Sequence, residues 1–181
     1  MTQQSAEMIQ IQFAGLAVQY FVAGRAAAIN QLIPVLGNLL HHAVEMALKA
    51  ALASSLSLPD LKKLSHRLPK IWSSFKATCT VDAAHFDSVV AELHRFENLR
   101  YPDLLLQHGA QMEFILLREH IQSGQRSPSI VPRYMLVLED VDELMEFIFE
   151  AAKINPHFFT GSMSESAKDF LSRHNRYASK W

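Results

Sequence analysis

NLLHHAVEMALKAALASSL, residues 38–56, carries its polar side chains in one file: Asn38, His42, Glu45 and Lys49 are spaced four, three and four apart. That spacing stacks them on one face of a 3.6-residue helix. The other faces are almost entirely Leu, Ala, Val and Met. A helix apolar nearly all round is wrapped by protein on most sides. The stretch therefore reads as the central post of a helical bundle.

Working outward, a first helix is expected over about residues 6–32, with Ala14, Ala17, Phe21, Gly24 and Ala28 as a stripe of mostly small side chains. Pro34 and Gly37 break the pattern and turn the chain back. Ser57 and Asp60 resemble a capping box opening a third helix, whose core stripe is Leu61, Leu64, Leu68, Ile71, Trp72 and Phe75. Pro69 inside it predicts a kink. A fourth helix from near Asp82 presents Phe86, Val89, Val90, Leu93, Phe96 and Leu99, and ends near Arg100 because Pro102 disfavours helix at Tyr101. Four long helices with short connections predict an up-and-down bundle.

The short apolar runs 112–118 and 134–138 read as two antiparallel strands joined by a long loop, with a helix over 110–122 as the alternative. Asp140 and Glu143 form a second capping box for a fifth helix, with Val141, Leu144, Met145, Ile148 and Ala152 facing the core. A last helix over about 163–175 buries Ala167, Phe170 and Leu171. The expected fold is mainly α: a four- or five-helix up-and-down bundle with a small β-hairpin insertion and a C-terminal helix. One domain is expected over 1–181, with bundle core 6–103 and 139–155, insertion 104–138, and extension 156–181. The polar, proline-bearing loop within the insertion predicts first proteolytic cuts between Ser123 and Arg133.

A net charge of −1 argues against bulk nucleic-acid binding and leaves local patches open. Before Asp60 only Glu7, Arg25, Glu45 and Lys49 are ionisable at neutral pH, His41 and His42 aside. Lys62, Lys63, Arg67, Lys70 and Lys76 make the next segment basic. The single cysteine, Cys79, fits a reducing compartment. The start lacks a basic signal region, and the long uncharged runs carry Gln, Asn and Pro. A soluble, cytoplasmic protein with no membrane partner is expected.

Four runs together, HHAVEMALKAAL, LSHRLPKIW, RFENLRYPD and the acidic–apolar LEDVDELMEFIFEAA, resemble the HEPN superfamily of helical bundles. The matching positions are Glu45, Leu48 and Lys49, then His66 and Leu68, then Arg100-Tyr101-Pro102-Asp103. The resemblance covers roughly 1–103 and 139–155. It implies either a non-enzymatic module engaging a nucleotide, an RNA or a partner protein such as a small nucleotidyltransferase, or a metal-independent, toxin-like ribonuclease of a toxin–antitoxin pair. The nuclease members use an arginine with a histidine shortly after it. Here the histidine following Arg100 is His108, farther along and beyond Pro102. The non-enzymatic reading leads, with a displaced Arg100/His108 pair as its alternative.

Two accounts of the polar file stay open: a solvated stripe with a Glu45–Lys49 pair at the favourable i, i+4 order, or a ligand-facing groove. Candidate ligand-binding residues are His42, Glu45, Lys49, His66 and Arg100. Arg100 extends the inner series of the fourth helix, so a buried pair with Glu45 is expected. The nine histidines show no Glu-x-x-His spacing, so neither metal nor cofactor is expected. Helices one and two offer more apolar surface than a small bundle covers, which places dimer contacts at Ala14, Phe21, Gly24 and Ala28.

Overall fold

The computed structural model describes residues 5–33, 35–121 and 130–181. It is mainly helical, with nine α-helices and one two-stranded sheet among the described residues. Helix α1 (Ala6–Ile29) starts at Ser5, whose hydroxyl accepts from the Met8 N–H, and ends as Gln31 turns into the left-handed region. Helix α2 (Val35–Leu52) is the post: α1, α4, α5 and α7 all pack on it.

The small-residue stripe serves this packing. Ala14, Ala17, Phe21, Gly24 and Ala28 are all buried within the chain, so the expectation that Ala14, Phe21, Gly24 and Ala28 form a dimer contact is not met. A Cβ built on Gly24 would lie 2.6 Å from Leu40 Cδ2, so the missing side chain lets α1 approach α2. Gly37 also departs from expectation. It sits inside α2, where a Cβ would meet Phe96 Cδ1 at 2.1 Å. Pro34 lies outside the described residues.

The third helix is two helices, α3 (Leu58–Lys63) and α4 (Leu68–Lys76), not one kinked at Pro69. Proline lacks an N–H and is tolerated where that donor has no partner, in a first turn. The chain accordingly stops, passes Ser65 at φ 56°, and restarts with Pro69 in the first turn of α4. Ser57 caps α3 as expected. Helix α5 (Asp87–Phe96) is flanked by short 3-10 turns, Ala84–Phe86 and Glu97–Leu99, and beyond Pro102 the chain forms α6 (Asp103–His108).

Strands β1 (Gln111–Ile115) and β2 (Arg133–Val137) pair in parallel, from Gln111↔Arg133 to Ile115↔Val137. This corrects the antiparallel hairpin. The connection over 116–132 is longer than the roughly dozen residues that a parallel crossover requires, so its length already allowed the outcome. The pair is built into the core: Tyr134, Leu136 and Val137 are buried, and the Tyr134 ring lies 5.6 Å from Phe96 and 5.0 Å from the Arg95 guanidinium. The expected cleavage loop lies mostly outside the described residues.

Helix α7 (Leu138–Ala151) begins directly after β2, two residues before the anticipated cap, and no side chain caps it. Asp140 and Glu143 hold Arg118 instead. Helices α8 (His157–Thr160) and α9 (Glu165–Ser172) close the chain, with Leu171 buried. Trp181 packs at 5.0 Å from both Phe21 and Phe149. Among the described residues, no helix is long and apolar enough to cross a membrane.

Arg25 is fully buried in α1. Its guanidinium pairs with Asp142 of α7 and donates to the carbonyls of Phe170 (2.8 Å) and Arg173. Burial pushes the Asp142 carboxyl up to about 6 against the pull of Arg25, which leaves it ionised and paired at neutral pH.

Two outcomes follow from this packing. Gly37→Ala should lower the melting temperature, because overpacking against Phe96 costs about 1–3 kcal/mol and outweighs the up to ~1 kcal/mol that helix propensity adds. Gly15→Ala, whose Cβ would meet Phe159 at an ordinary 3.6 Å, should raise it slightly; equal melting temperatures for the two variants would contradict the packing. Arg25→Met strands the buried Asp142 charge and should cost about 3–5 kcal/mol in urea unfolding, with Asp142→Asn recovering part of the loss in the double variant.

Candidate functional site: a histidine–carboxylate cluster on the central helix

The polar file of α2 is not a solvated stripe. Glu45 has no exposed side-chain surface, Lys49 is buried, and His42 is a quarter exposed. The break between α3 and α4 explains how this charge is satisfied. It aims the Ser65 carbonyl at Lys49 Nζ, which donates to it at 2.9 Å and to Glu45 Oε1 at 2.6 Å. It also brings His66, half exposed, to Glu45, with its Nδ1 at 3.0 Å from both carboxylate oxygens. His42 Nδ1 lies 3.4 Å from Oε2. A carboxylate only accepts, so each Nδ1 carries the proton. Burial alone would raise the Glu45 pKa, but hydrogen bonds from His42, Lys49 and His66 overcome it and hold the group down at about 2.

Four of the five expected ligand-binding residues, His42, Glu45, Lys49 and His66, are therefore brought together. Arg100 is not among them. It is exposed, with its guanidinium 6.0 Å from the Tyr101 ring centroid, so the expected Arg100–Glu45 pair does not form. The 3-10 turn before Arg100 changes the angular step of the helix, so the inner-face series ends at Leu99. His108, at the end of α6, is exposed as well, and no hydrogen bond or ion pair joins it to Arg100 among the described residues.

The cluster also includes side chains that the helical wheel passed over. His41 Nε2 stands 3.9 Å from Glu45 Oε2 and 3.9 Å from Glu97 Oε2, and His94 Nδ1 stands 3.6 Å from Glu97 Oε2. The histidine rings run in a chain: His66 to His42 at 6.0 Å, His42 to His41 at 5.6 Å, His41 to His94 at 6.0 Å. One signal was present in the sequence. His-x-x-Glu occurs at 42–45 and again at 94–97, the reverse of the Glu-x-x-His order, and either order puts both groups on one helix face.

Comparison with known proteins adds no further assignment. No family model matches the chain, and neither does a curated protein or a solved structure. What the cluster can do is thus set by its own chemistry. It holds ring nitrogens and carboxylates from α2, the α3–α4 break, α5 and the turn after α5, with an opening at His66 and at His94, which is 38% exposed.

The depressed Glu45 pKa makes a signed prediction. Its folded value lies below its ordinary 4.5, so the stability it contributes is present above pH 4.5 and lost as pH falls toward 2. The shift corresponds to roughly 3 kcal/mol. Urea unfolding of the wild type should weaken across that window, while Glu45→Gln, already destabilised at pH 7 by the stranded Lys49, should change less. Coincident pH profiles would show that the carboxylate is not held as described. Arg100→Ala, by contrast, should stay within about 0.5 kcal/mol of wild type.

Proposed function

We propose that this chain is a non-enzymatic, HEPN-like binding module that takes a phosphate-bearing ligand, RNA or a nucleotide, at the α3–α4 edge. The observation that supports the reading is the setting of His66. Its ring is anchored by the buried Glu45, and Lys62, Arg67 and Lys70, within four residues of it in sequence, are exposed, with no carboxylate paired to any of the three among the described residues. Only Lys63 of that segment is paired, to Asp60 at 2.8 Å. A fixed imidazole on a segment of exposed, uncompensated cations suits a phosphate backbone better than a basic or apolar partner. The reading includes a homodimer, with its contact on the outer side of α1, where Met8, Ile11 and Leu16 are exposed.

The test is fluorescence anisotropy with a labelled single-stranded RNA across a salt series. Binding should weaken with salt, and replacing Lys62, Arg67 and Lys70 by Ala should reduce the salt slope by about 0.7 for each phosphate that is no longer neutralised. Binding unaffected by the triple replacement would remove the reading. Competition by ATP separates a nucleotide site from an RNA site. Gel analysis of the same RNA addresses the alternative ribonuclease: cleavage abolished in both Arg100→Ala and His108→Ala would replace the binding module with an enzyme.

A further inference from the structure

We propose that His41, His94 and Glu97 form a binding site for a first-row divalent transition-metal ion of the zinc class. The inference goes beyond the phosphate reading, because its donors lie on α2, α5 and the turn after α5, not on the α3–α4 edge.

The starting point is a pair of orphaned nitrogens. His41 is 1% exposed, and its Nδ1 lies 3.1 Å from the Leu93 carbonyl. A carbonyl only accepts, so Nδ1 carries the proton and Nε2 of the neutral ring is a bare lone pair. Burial pushes the His41 pKa below its ordinary value, which favours that neutral ring. Nε2 is buried and has no hydrogen-bond partner among the described residues, and the same is true of His94 Nδ1. Both face Glu97 Oε2, at 3.9 and 3.6 Å. The His41 Nε2 lone pair, turned toward carboxylate oxygens with no proton between them, is unfavourable. A cation placed among the three atoms makes the His41 contact favourable and gives the unpartnered His94 Nδ1 a partner for its lone pair in the neutral ring.

The dimensions fit. Zinc binds imidazole nitrogen and carboxylate oxygen at about 2.0–2.2 Å, which puts neighbouring donors of a tetrahedral site roughly 3.3 Å apart. The ligand atoms of His41, His94 and Glu97 all lie within 4.8 Å of one another, and two of their separations are within several tenths of an ångström of that value. The Nδ1–H···O=C bond from His41 to Leu93 is the outer support that fixes the tautomer of a metal-binding histidine. His94 and Glu97 come three residues apart from one helical turn, and both reach solvent, which gives an ion its way in.

Charge separates this triad from its neighbour. His42, Glu45 and His66 also gather ligand atoms, but there Lys49 already neutralises the carboxylate, and the ring protons point at it. Glu97 has no lysine or arginine partner among the described residues. Two imidazoles and one carboxylate match zinc, cobalt, nickel or iron(II) rather than calcium or magnesium, which take oxygen donors.

The test uses the full chain, stripped with a chelator and titrated with Co(II). Wild type should bind one ion per chain with the visible bands of a low-symmetry, near-tetrahedral site, displaced by Zn(II). His94→Ala and Glu97→Gln should each weaken Co(II) binding by at least about tenfold, and His157→Ala, at an exposed position elsewhere, should leave it unchanged. Both altered residues are partly exposed, and Glu97→Gln keeps shape while removing charge. No spectrum with the wild type would overturn the assignment. So would undiminished binding by both variants, or binding abolished in His66→Ala and kept in His94→Ala.

Discussion

A carboxylate with no solvent exposure stands midway along the central helix, and the surrounding chain is arranged to satisfy it. Glu45 receives Lys49 from one turn along, His42 from the turn before, and His66 from another segment. Leaving such a group unpaired costs several kcal/mol, so the path over residues 64–67 is constrained by this one charge. The helix break that Pro69 imposes there, with Ser65 left-handed and His66 exposed, serves this charge by bringing a carbonyl and an imidazole to α2. In a continuous helix over 58–76 the Ser65 carbonyl would face Pro69, which has no N–H to offer and whose ring would crowd it; at the break that carbonyl accepts from Lys49 instead.

A second buried charge fastens the far side. Arg25 reaches through α1 to Asp142 on α7 and to two carbonyls at the end of α9. Its three donor groups are used by three partners, which is how a guanidinium is held without water. The two buried clusters each tie in an element distant in sequence. The apolar contacts between α1 and α2 are set chiefly by the close seat of Gly24 against Leu40, and the alanines beside it constrain the register less. Buried charges that must find particular partners select among registers; the cost of a mismatch is several kcal/mol.

Much of this is legible in the sequence. The helical periodicities, the capping serine at 57, the central role of α2 and the core stripes of α4 and α5 all depend on local patterns, and they appear as read. The departures share a cause. The apolar stripe runs straight through Pro69 and so reads as one helix, but a stripe does not record that the Glu45–Lys49 pair needs a carbonyl from residue 65. Asp140 and Glu143 have the spacing of a cap, yet their partner is Arg118 across the sheet crossover. Arg100 and Glu45 look like partners because few other charges are at hand. The guanidinium that is buried belongs to Arg25, a lone charge in an otherwise uncharged stretch, and that isolation is the visible hint. His41 and His94 escape notice because a wheel centred on one helix cannot show which side chains meet from two.

Charge divides the cluster into two unlike halves. On the side of His42 and His66, the carboxylate of Glu45 is matched by the ammonium of Lys49, and the sum is neutral. On the side of His41 and His94, Glu97 supplies one negative charge, both rings contribute bare or unpartnered nitrogens, and no lysine or arginine answers among the described residues. The two halves use the same His-x-x-Glu spacing on packed helices, but Glu45 is buried with a lysine and ring protons turned to it, whereas Glu97 reaches solvent and has neither among the described residues. In one half the cation is built into the chain. In the other the chain provides the donors, the buried lone pair and an opening to solvent, and the charge must come from outside. An imidazolium could supply it only against the burial that keeps His41 neutral, whereas a metal ion binds the neutral ring directly. The same scaffold therefore keeps a closed, structural charge pair beside an open one suited to a ligand, and α2 positions both.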